Sequence, residues 1–153
     1  AFCNSPGQVQ IYKRANADLV IFSNDAQWFA PIPPSPVLTI TAAIQSAMPY
    51  SGTNFKAIFT LVAGKPYDRV IILSDNEAWM GFTSAHDHYK AYCKSMDAQP
   101  HIYNIDLQGY GQLQFPESRV YYLAGFSEKI FDVMGLLEQD REALIHTIEA
   151  VAI

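Results

Sequence analysis

Arg69-Val70-Ile71-Ile72-Leu73-Ser74-Asp75 sets four large aliphatic residues in a row ahead of a polar end. A strand with one face in water alternates apolar and polar residues. An uninterrupted aliphatic run marks a strand covered on both faces, as in parallel sheets flanked by helices. The run therefore predicts a parallel strand at the centre of its sheet.

Working upstream, Ser51-Gly52-Thr53-Asn54 is loop chemistry, and Asn54 or Thr53 can cap a helix from Phe55 to about Val62 that Gly64-Lys65-Pro66 ends. Before it, Ile40, Ala43, Ile44 and Ala47 recur at helical spacing within 39–48, and Pro49 stops that helix. Pro31, Pro33, Pro34 and Pro36 cannot donate to a sheet ladder and mark an extended loop. Ala17 to Ser23 is a short apolar, β-branched run, the pattern of another buried strand, and Gln27 to Ala30 reads as an edge strand. Val9 to Tyr12 is a lesser strand candidate, and Asn4-Ser5-Pro6-Gly7 is a turn.

Downstream of the central run, the pattern predicts a helix from about Ser84 to Met96 and strands over His101–Leu107 and Val120–Ala124. Helices follow over Lys129–Glu138 and Asp140–Val151, with Ser127 and Asp140 as N-caps. Strand and helix alternate, which argues for an α/β domain over 1–153 with one open, mostly parallel, doubly wound sheet and helices on both faces.

Half of the 153 residues are hydrophobic and 16% are charged, so a globular core is within reach and disorder is not indicated. The net charge of −5 and the lack of a basic run argue against a broad phosphate-gripping surface. The two cysteines, Cys3 and Cys93, form no zinc-binding spacing and are expected as reduced thiols of a cytoplasmic protein. No apolar run approaches the roughly 20 residues that span a bilayer. Because the chain opens on Ala1 rather than Met, a segment upstream of it is expected.

Open α/β sheets bind ligands outside the carboxyl ends of their strands. That rule selects Ser23, Asn24 and Asp25, Ser74, Asp75, Asn76 and Glu77, and the loop Ser51 to Asn54. Oxygen donors without paired His or Cys suit a hard cation such as Mg2+. The alternative is that Asp75 caps the next turn and Thr53 caps its helix. Trp28, Phe29 and Trp79 flank the rim, where aromatics can stack a base or pack against the loops. His86 and His88 make an H-x-H pair better read as a helix face than as metal ligands. No Ser-His-Asp or Cys-His arrangement stands out, and Asp75 with Glu77 lacks a nucleophile or His to work with.

The segment from Asp68 to Gly81, with its strand, Ser74-Asp75-Asn76-Glu77, Trp79 and Gly81, resembles a segment of the Ro ribonucleoproteins, the family with the TROVE module. Gly52-Thr53-Asn54 is similar to the G-T-[DN] loop upstream of it in that family. Asp18–Ser23, Tyr89-Lys90, Met96-Asp97 and Gly125-Phe126 extend the resemblance from about Ala17 to the C-terminus.

The resemblance implies a von Willebrand factor A-type domain with a metal-ion-dependent adhesion site built from D-x-S-x-S, a Thr and an Asp. Thr53 and Asp75 match the last two. D-x-S-x-S occurs nowhere in the sequence, so the first, central strand and its helix are expected on an upstream segment or on a second chain. What it implies for function is a non-catalytic, Mg2+-dependent ligand-binding domain of a protein that binds small noncoding RNA through its other parts. Ser23, Asn24, Asn54, Asn76, Glu77 and Trp79 would form the ligand-contacting rim. A module that captures a partner protein's carboxylate through Mg2+ is the second expectation, and a metal-assisted hydrolase the third.

Overall fold

The computed structural model describes residues 18–29, 36–47, 54–74, 82–106, 118–125, 127, 129–140, 142, 145–146 and 149–150, with backbone alone at 37 and 82–85. Among them the order is β1 (Leu19–Phe22), β2 (Ala26–Phe29), α1 (Val37–Ala47), α2 (Phe55–Leu61), β3 (Arg69–Ser74), α3 (Phe82–Met96), β4 (His101–Asp106), β5 (Val120–Ala124) and α4 (Ile130–Gln139). Each element falls within a few residues of its sequence prediction. The lesser strand at 9–12 and half of the residues of the helix expected at 140–151 lie outside the described residues.

The strands form two sheets, a parallel one ordered β3-β4-β5 and an antiparallel pair of β1 and β2. In the parallel sheet Arg69 stands opposite His101 and Ser74 opposite Asp106, while Ile102 stands opposite Val120 and Asp106 opposite Ala124. The three strands thus end together. In the hairpin Leu19 pairs with Phe29 and Phe22 with Ala26, around the turn Ser23-Asn24-Asp25.

Two expectations are corrected here. Among the described residues β3 pairs on one side alone, and β4, not β3, is the middle strand. β4 is accordingly the more buried, with Ile102 to Asp106 all inaccessible, although it carries an Asn and an Asp. Burial follows a strand's neighbours rather than its own aliphatic content. The first two strands also turn back on each other, because three residues between them are too few for a parallel crossover.

Side chains alternate across the parallel sheet, and helices cover both of its faces. On one face Ile72, Ile102 and Val120 pack with Phe55, Ile58, Phe59 and Val62 from α2 and its end, and with Tyr89 and Tyr92 from α3. On the other, Tyr103 and Ile105 pack with Ile130, Met134 and Leu137 of α4. Phe22 of β1 joins the first cluster, whereas Ile21, on the opposite face of the hairpin, packs with Ile40 and Ile44 of α1. One buried cluster therefore connects the two sheets.

The amino end of the sheet is held by polar contacts. Arg69 donates to both oxygens of Glu138 at 2.7 and 2.6 Å, and the Tyr103 hydroxyl donates to Glu138 Oε1 at 2.9 Å. The Arg69 guanidinium holds the Glu138 carboxyl below its ordinary range. Beside this network His101 stacks on Tyr121, with centroids 5.9 Å apart, and burial holds its imidazole below the usual range. Asp18, just before β1, accepts from Tyr67 at 2.7 Å and pairs with Lys65, tying the hairpin to the approach to β3. No helix among the described residues is long and apolar enough to cross a membrane.

Candidate functional site

Parallel strands deliver their polar ends to one rim, and here those ends are buried. Ser74 closes β3 with 0% of its surface exposed, and Asp106, its cross-strand partner, closes β4 with 3%. The amide of Gly125 donates to the Asp106 carbonyl at 2.9 Å as the chain leaves β5. Gly125 has φ +80°, a conformation that costs a side-chain-bearing residue free energy, so the turn at this edge favours glycine.

The loop after β1 is bonded to the start of α2. The Asn54 amide donates to the Ser23 carbonyl at 2.8 Å, and the Asn54 side-chain Nδ2 donates to the Asn24 carbonyl at 2.9 Å. Asn54 Oδ1 accepts from the Lys56 amide at 3.1 Å, the N-cap that extended backbone at φ −119° and ψ 94° permits. Both ends of this amide are thus engaged, and Asn54 acts as the clasp between the two loops. Phe22 and Phe55, the residues beside the clasp, tilt against each other with centroids 5.6 Å apart.

Ser23 is 4% exposed and Asn24 is exposed. In the same turn Asp25 Oδ1 accepts from the Ala26 amide at 2.8 Å, which shapes the loop. A hollow of about 260 Å3 opens beside it, lined by Ser23, Asp25, Gln27 and the apolar Ile21, Phe22 and Ala47. Trp28 is 44% exposed, with the Lys65 ammonium 5.8 Å from its ring, while Phe29 packs toward α1.

Thr53, Asp75, Asn76, Glu77 and Trp79 lie outside the described residues, as does any geometry of metal coordination by them. Their chain neighbours Asn54 and Ser74 are described, and with Ser23 they adjoin members of one buried cluster, which includes Phe22, Phe55 and Ile72. Among the described residues no three His, Cys, Asp or Glu side chains are grouped to hold a metal.

Two buried polar residues of β4 were not among the sequence candidates. Asp106 stands at the rim beside Ser74, and Asn104 lies two residues deeper on the same face of β4. Asn104 is 0% exposed, and neither its Nδ2 nor its Oδ1 has a hydrogen-bond partner. The sequence signal was the alternation Ile102-Asn104-Asp106 within an otherwise apolar and aromatic strand. Polar residues at every second position ordinarily mark a solvent face, and here that face is covered by α2 and α3.

At the opposite end of the sheet, residues just before β4 and β5 meet the end of α3 in a cleft of about 640 Å3, lined in part by Lys90, Lys94 and Arg119. Arg119 Nη1 donates to the Gln99 carbonyl at 2.8 Å, and Lys94 lies in the last turn of α3, where a cation balances the helix dipole. No protein-family model matches the chain, and no curated protein matches it.

Proposed function

We propose that this chain is a non-catalytic α/β binding domain that takes its ligand through a divalent cation, Mg2+ by its preference for oxygen donors, with Thr53 and Asp75 among the ligands. The observation that carries this proposal is the packing of Phe22, Phe55 and Ile72 in one cluster. Each stands within two residues of an oxygen-rich stretch, 23–25, 51–54 or 74–77, so one buried cluster joins the described flanks of all three. A Thr hydroxyl and an Asp carboxylate leave coordination positions on a hard, six-coordinate ion open for a ligand's own oxygen.

The similarity of Gly52-Thr53-Asn54 and Ser74-Asp75-Asn76-Glu77 to Ro ribonucleoproteins supports the rest of the proposal. The chain is a von Willebrand factor A-type domain of a cytoplasmic, Ro-like protein whose other parts bind small noncoding RNA. A strand carrying D-x-S-x-S, from an upstream segment or a second chain, lies beside β3 and makes one doubly wound sheet. Among the described residues one side of β3 is unpaired, which supports that arrangement, because an aliphatic strand left at an edge is an aggregation hazard that folds normally cover.

In the native protein Mg2+ is expected to raise the melting temperature, and Asp75→Ala is expected to abolish that rise while leaving the far-ultraviolet circular dichroism unchanged. An equal Mg2+-induced rise in the variant would refute the assignment of Asp75.

A further inference from the structure

A buried amide with no partner is an expensive thing to keep. Leaving one such polar group unsatisfied costs the full desolvation of that group, and Asn104 leaves both its donor and its acceptor unsatisfied on the middle strand. Its cross-strand neighbours are Ile72 and Tyr122, so an apolar residue of similar size would suit the position better if packing were all that it did. Along β4 the same face continues to Asp106, and across from Asp106 it continues to Ser74; all three are 3% exposed or less. The result is a short polar strip running inward from the carboxyl rim, under the cover of α2 and α3, with hydroxyl, carboxylate and amide oxygens in turn.

We infer that Asn104 and Asp106 form the floor of the cation site, Asp106 supplying negative charge and Asn104 Oδ1 accepting a hydrogen bond from a water of the hydrated ion. Mg2+ sheds its waters reluctantly and is commonly bound with several of them in place. A neutral amide below the ligands suits such a water, because it accepts a hydrogen bond without adding a second buried charge. Asn104 is then a positioning residue, and the floor extends the rim site of the proposed function inward. The inference rests on that proposal.

Two substitutions in the native protein test it by thermal melting with and without Mg2+. Asn104→Leu removes the unsatisfied amide and keeps the volume, so without Mg2+ the variant is expected to melt at or above the wild-type temperature, and its Mg2+-induced rise is expected to be lost. Asn104→Asp places an unneutralised carboxylate in the same spot. It is expected to melt well below wild type without Mg2+ and to recover most of the difference with it, giving a larger rise than wild type. The inference is overturned if Asn104→Leu retains the full Mg2+ response, or if Asn104→Asp is destabilised and not rescued. If wild type itself shows no Mg2+ response, the proposed function fails first, and the Asn104 floor fails with it.

Discussion

Tyr103→Ala is expected to lower the stability of the fold by about 3–5 kcal/mol, the range for removing a buried aromatic ring. Tyr103 is fully buried on the middle strand and is the largest fully buried side chain among the described residues. Its ring stacks on Tyr121 with centroids 5.1 Å apart and planes 16° from parallel, and it packs against Ile105, Ile130, Met134 and Leu137. Truncation leaves a cavity between β4 and α4, and it strips Glu138 of one of its donors. Domains are typically stable by about 5–15 kcal/mol, so the variant stands near the edge of unfolding. Tyr103→Phe keeps the ring and loses the hydroxyl alone, and is expected to cost about 1 kcal/mol. Urea unfolding of the two variants separates the contributions; an alanine variant within about 1 kcal/mol of wild type would contradict the packing of α4 on this face.

Phe55→Ala is expected to cost a similar amount, about 3–5 kcal/mol, with its local effect on the other face of the parallel sheet. Phe55 is 1% exposed, follows the Asn54 clasp directly and tilts against Phe22 of the hairpin. Its loss removes the apolar contact that backs the hydrogen bond from the Asn54 amide to the Ser23 carbonyl. Amide hydrogen exchange is therefore expected to accelerate at Asn54 more than at the amides of β4. Equal acceleration throughout would show that the clasp does not depend on this contact.

How far the sequence could be read follows from what each signal encodes. The aliphatic run at 70–73, the Asn54 cap and the Gly64-Lys65-Pro66 stop are local, and each produced its element: β3, the start of α2 and its end. Gly64, at φ +92°, occupies the left-handed conformation that its place after a helix calls for. Pairing is not local. The aliphatic run argued for a central β3, yet β4, with its His, Tyr, Asn and Asp, has neighbours on both sides and is the more buried. The Asn54 cap was legible because capping is local, whereas the hydrogen bond that joins Asn54 to Ser23 was not, since β1 stands in an antiparallel pair to which the carboxyl-end rule for parallel sheets does not apply. Asp106 and Asn104 were missed because polar residues alternating along a strand look the same whether water or a polar strip lies beneath them. The unsatisfied amide distinguishes the two, and it arises from packing between distant segments rather than from local sequence.

The most direct test of the central claim asks where a bound cation sits. With Fe2+ substituted for Mg2+ in the native protein, and ascorbate and peroxide added, hydroxyl radicals released at the metal cut the nearby backbone, and mass spectrometry maps the cuts. Cleavage is expected around Ser23–Asp25, Thr53–Asn54, Ser74–Asp75 and Asp106, suppressed by excess Mg2+ and lost in Asp75→Ala. Cleavage centred instead on the opposite end of the sheet, near Lys94, Gln99 and Arg119, or a pattern indifferent to Asp75→Ala, would contradict a cation site at the carboxyl rim.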